Sequence, residues 1–119
     1  MKNVLTAHQI QQDLLTLRDI AANLRKPDSI VYEDERYTFA DALTTAEAIG
    51  CALITEYGIG KGDRVAICSR NYPEWCLAYM AITIIGAIAV PMNSWWRSKE
   101  LAYGIEDSGA RVIFADQER

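Results

Sequence analysis

Closely spaced glycines with a lysine among them can cradle a phosphate, and Gly58-Ile59-Gly60-Lys61-Gly62 has that composition. Such loops work because glycine frees backbone N–H groups to face the anion while a cation sits beside them. The position argues against that role. In open α/β sheets the phosphate loop leads from the carboxyl end of a strand into a helix. Here the run leads from a helical pattern into the strand-like Arg64-Val65-Ala66-Ile67-Cys68. It is read as a tight helix-to-strand turn, with glycine supplying positive φ. Two other stretches do follow strand-like segments, Ser69–Tyr72 and Met92–Arg97. In the first, Asn71 is a candidate contact at the substrate edge, although an asparagine just before a helix also serves as its cap. In the second, Asn93, Trp95, Trp96 and Arg97 could wall an apolar ligand or meet an adjoining domain. Paired loop tryptophans more often serve packing.

The remaining reactive side chains are scattered. The three cysteines, Cys51, Cys68 and Cys76, form no CxxC pair and lie in apolar runs, so they are expected to be buried, reduced thiols. His8 is the single histidine and has no partner for zinc or base chemistry. Glu33, Asp34 and Glu35 read as a solvated turn, and Glu100, Glu106 and Asp107 as the decoration of a helix. No nucleophile, base and orienting group can be assembled from these residues. Catalytic, cofactor-binding and metal-binding residues are therefore all assigned as none.

The elements that would position these groups follow from periodicity. The 119 residues are 50% apolar and 24% charged, which suits one globular domain. Twelve basic against sixteen acidic residues give a net charge of −4, which weighs against a nucleic-acid or anionic-membrane partner. Ile10, Leu14, Leu17, Ala21 and Leu24 share one face of an amphipathic helix that stops before Pro27, giving a division into a helical segment 1–26 and an α/β subdomain 27–119. Asp13, Arg18 and Asp19 interrupt any signal-peptide core, so a cytoplasmic location is expected. Ser29–Tyr32 and Arg36–Thr38 read as a hairpin about Glu33-Asp34-Glu35, and Thr38 with Asp41 as a capping box opening a helix that Gly58 closes. That helix should bury Phe39, Leu43, Ala46, Ile49 or Gly50, Leu53 and Tyr57.

Three apolar segments follow: Arg64–Cys68, Ala87–Pro91 and Arg111–Ala115. Helices over Glu74–Ile85, behind Pro73, and from a Ser98 cap to Asp107 separate them. The uncharged stretch Cys76–Met92, cut by Gly86 and Pro91, is read as a helix buried on more than one side and then a strand, not as a membrane span. The expected fold is α/β: a parallel sheet of short strands flanked by helices, with a small N-terminal hairpin. The last strand ends four residues before the chain does, so a piece of a larger protein is expected.

Five motifs then occur in one order: Arg36-Tyr37-Thr38-Phe39-Ala40-Asp41-Ala42-Leu43, Gly58 through Ile67, Asn71-Tyr72-Pro73-Glu74-Trp75, Gly86 through Asn93, and Asp107 through Val112. Together they resemble the amino-terminal part of the adenylate-forming (AMP-binding) superfamily, most closely its acyl-CoA synthetases of the fatty-acid–CoA ligase kind. The resemblance implies an incomplete first subdomain of that fold. It also implies a parent ligase that converts a carboxylic acid through an acyl-adenylate to acyl-CoA, using ATP, Mg2+ and CoA. The family's phosphate loop, Thr-Glu pair, ribose-binding Asp and mobile-domain Lys have no counterpart here. By that resemblance the segment is inactive alone, binds none of those ligands tightly, and has the rest of the parent chain as its partner. Two other readings are a non-catalytic interaction module that covers its sheet by forming a homo-oligomer, and an unrelated flavodoxin-like ligand-binding domain.

Overall fold

The computed structural model describes residues 28–117, so the helix expected at Ile10–Leu24 lies outside the described residues. The chain starts with an antiparallel hairpin, β1 (Asp28–Tyr32) and β2 (Glu35–Thr38), in which Tyr32 faces Glu35. The turn is Glu33-Asp34, one residue shorter than the sequence indicates. Glu33 takes a φ of 50°, the left-handed backbone that matches a two-residue turn to the twist of its strands.

Thr38 opens α1 (Phe39–Thr55) with the expected capping box. The Asp41 N–H donates to Thr38 Oγ1 at 3.0 Å, and the Thr38 N–H donates to Asp41 Oδ2 at 3.4 Å. Two donors that the first helical turn would leave bare are thereby satisfied. The buried face is Ala42, Ala46, Gly50 and Leu53, with Phe39, Leu43 and Ile49 half-buried beside it. Tyr57 departs from expectation: it lies beyond the helix end and is exposed.

Small residues on α1 let α2 (Pro73–Ile84) approach closely. A Cβ on Gly50 would stand 2.9 Å from Ile85 Cγ2 and 3.4 Å from the Ala81 carbonyl oxygen. Pro73 occupies the first turn of α2, where its missing N–H costs nothing. The cap position is Tyr72, without a side-chain hydrogen bond, so Asn71 does not cap this helix. The proline itself removes one of the bare donors of the first turn. Nor is α2 buried all round. Leu77, Ala78, Ala81 and Ile82 are buried, whereas Cys76, Tyr79 and Thr83 are exposed.

The parallel sheet contains β3 (Arg64–Cys68), β4 (Ile88–Pro91) and β5 (Val112–Ala115) in the order β4-β3-β5. Val65 lies opposite Ala89 on one side and Val112 on the other. The outer strands begin one residue later than the sequence indicates, ordinary variation at element ends. Val65 through Cys68 are fully buried, because helices cover both faces of the central strand. Val65 and Ile67 pack with Leu53 of α1 and with Ala78 and Ile82 of α2. Ala66 and Cys68 pack with Met92 and with Leu101 and Ile105 of α3 (Ser98–Ser108).

Burial from both sides explains why β3 reads as a continuous apolar run rather than an alternating one. The stretch Cys76–Met92 resolves into helix, a turn at Gly86 with φ 77°, and strand. No described helix is long and apolar enough to cross a membrane. The cysteine expectation holds for Cys68 alone. Cys51 and Cys76 are exposed, because an apolar run wound into a helix still turns some positions outward.

Gly50 offers a direct test of the α1–α2 contact. Leucine at this site overpacks against Ile85 and the Ala81 carbonyl, so Gly50→Leu should lose about 1–3 kcal/mol in urea unfolding. Gly50→Ala should lie near wild type, because roughly 1 kcal/mol of helix propensity offsets the milder crowding.

Candidate functional site

The strand order reverses at β3. The chain passes from β3 through α2 to β4 on one side, then through α3 to β5 on the other. In open α/β sheets the carboxyl ends of the two strands at such a reversal diverge into a crevice where ligands bind. An open cleft of ≈ 630 Å³ lies there. Ile67, Ser69 and Tyr72 through Trp75 line it from the β3 exit and the first turn of α2, and Phe114 through Gln117 from the β5 exit. Tyr32 and Glu35 of the hairpin complete it.

Its walls are aromatic and its charges acidic. Tyr32 and Tyr72 meet edge to face, with centroids 5.5 Å apart and planes at 90°, while Trp75 stacks on Tyr79 at 5.5 Å and 7°. The Arg70 N–H donates to Asp116 Oδ2 at 3.0 Å, tying the two strand exits together. Burial raises the Tyr32 pKa, reinforced by Glu33, Tyr72 and Glu35 and opposed by the Arg70 charge. The Ser69 hydroxyl donates to the Arg70 carbonyl at 3.0 Å. No lysine or arginine among the described residues is part of the lining, although the Arg70 charge acts on Tyr32. Among the described residues, no three His, Cys, Asp or Glu side chains gather where they could hold a metal ion.

The glycine run lies at the opposite, amino-terminal edge, as its sequence position indicates. Its N–H groups are engaged within the fold: Gly60 donates to Asp63 Oδ2 at 2.8 Å and Gly62 to the Gly86 carbonyl at 3.0 Å. Asp63 Oδ2 also accepts from Arg111 Nη1 at 2.7 Å, and the same guanidinium nitrogen reaches the Gly58 carbonyl at 3.2 Å. Gly58 and Gly62 have φ values of 65° and 83°, which a Cβ would strain. This loop is a polar pin joining the starts of β3, β4 and β5. The Gly60 N–H, followed by the Arg111 charge, holds the Asp63 pKa below the usual carboxylate value.

The residues singled out in the sequence go to different places. Asn71 is exposed in the loop after β3, beside the cleft lining but not part of it. Asn93 shapes the loop after β4: its Oδ1 accepts from the Trp95 N–H at 2.9 Å and its carbonyl from the Trp96 N–H at 3.1 Å. The tryptophan pair splits. Trp95 is 87% exposed, whereas the Trp96 ring lies on α3, where a Cβ on Gly104 would be 2.8 Å from Cζ3. The cap of α3 is Arg97 rather than Ser98, and the Arg97 N–H donates to Glu100 Oε2 at 2.7 Å. The cleft itself was not anticipated. Its walls come from three segments remote in sequence, and only the strand order brings them together.

Three comparisons bear on these features. The family described as AMP-binding enzyme matches residues 18–119. A long-chain-fatty-acid–CoA ligase of Mycobacterium tuberculosis is 38% identical over 81 residues, covering 67% of this chain and 16% of the ligase. A 3-hydroxybenzoate–CoA/4-hydroxybenzoate–CoA ligase of Thauera aromatica is 31% identical over 101 residues, covering 85% and 19% respectively. The anthranilate CoA ligase AuaEII, solved with anthranoyl-AMP, superposes with a TM-score of 0.79 at 27% identity, over 99% of this chain and 22% of that one. The chain thus spans less than one quarter of each.

Two mutational outcomes follow from the geometry. Trp95→Ala should change stability by no more than about 0.5 kcal/mol, while Trp96→Ala should cost about 1–3 kcal/mol by uncovering α3. Calorimetric melting distinguishes them. Asp63→Asn should lower the melting temperature at pH 7. The depressed Asp63 pKa contributes stability that is present above its unfolded value of 3.8 and lost as pH falls through the folded value. The gap between wild type and Asp63→Asn should therefore hold down to about pH 5 and close below that unfolded value.

Proposed function

Because the chain belongs to the AMP-binding enzyme family, we propose that it forms the amino-terminal scaffold of an acid–CoA ligase and catalyses nothing by itself. The ligase would use ATP, Mg2+ and CoA to turn a carboxylic acid into an acyl-adenylate and then a thioester. A fatty or aromatic acid is the substrate class, since the long-chain and hydroxybenzoate ligases are both similar to this chain. The single observation that carries the scaffold role is the engagement of the glycine run. Its Gly60 and Gly62 donors, which would have to meet a phosphate, already close the turn onto Asp63 and Gly86. Among the described residues no carboxylate, histidine or cysteine cluster gathers that could hold Mg2+, and no step through Mg2+ or a triphosphate is assigned to them.

What these residues do is structural. β3 holds the exits of three elements in one plane, and the Asp63–Arg111 pin fixes their starts. Asn71, Asn93, Trp95, Trp96 and Arg97 are assigned as contacts with the substrate edge or with neighbouring parts of the ligase. Trp95 is the foremost of them because of its exposure. The ligase would work in the cytoplasm.

ATP–pyrophosphate exchange with a panel of fatty and aromatic acids tests the reading. The 119-residue chain should give no exchange, and the product of the coding sequence read on to the length of its relatives should exchange with at least one acid. Exchange by the 119-residue chain overturns the scaffold role. A coding sequence that stops at residue 119 overturns the ligase.

A further inference from the structure

We draw no further inference here: the strongest candidate, the exposed aromatic surface that Trp95 gives the loop between β4 and α3, carries nothing because nothing in the structure shows what covers it.

Discussion

Everything in this structure depends on one strand being buried on both faces. Val65, Ala66, Ile67 and Cys68 are sealed from solvent between α1 and α2 on one side and α3 on the other. Burying a valine or isoleucine in full contributes about 1.5–3 kcal/mol, so this short segment anchors the sheet more firmly than its length indicates. A parallel strand can be covered in this way only if its neighbours reach it through crossover helices. The order β4-β3-β5 is the arrangement that puts those helices on opposite faces. From that arrangement follow two edges with different chemistry. At the amino edge, polar groups are consumed in holding three strand starts together. At the carboxyl edge, two loops separate and leave a cleft.

The two edges explain why the glycine-rich run and its lysine form a structural turn. A phosphate-binding loop needs N–H groups free to turn outward. Here Asp63 takes the Gly60 donor and Arg111 at once, and Gly86 takes the Gly62 donor. The glycines serve backbone geometry, and the carboxylate between them does the work an anion would otherwise do, from inside the fold. The chain therefore carries part of the frame of the AMP-binding enzyme family.

Much of the frame was legible in the sequence because its signals are local. Thr38 with Asp41 marks a helix start through two hydrogen bonds that span three residues. Pro73 marks another through a missing donor, and the unbroken apolar run Val65–Cys68 marks the strand covered twice. The departures at the cysteines, the tryptophan pair and the cleft share a cause: they concern which side of an element faces a neighbour.

Cys51 and Cys76 sit in apolar surroundings in sequence and on exposed helix faces in space. Adjacent Trp95 and Trp96 part company because only the second meets the gap left by Gly104. The loop after β4 looked as good as any other at its edge. The cleft lies instead between the exits of β3 and β5, since strand adjacency, which no residue pattern encodes, decides which loops face each other.

The assignment of the glycine run to structure is the claim on which the functional reading turns, and it can be examined residue by residue. Amide NMR spectra of the 119-residue chain, titrated with MgATP, report directly on Gly60 and Gly62. With both donors held by Asp63 and the Gly86 carbonyl, their signals should stay in place and exchange slowly with solvent throughout. A saturable shift at these two amides would contradict the assignment and make this loop a nucleotide site.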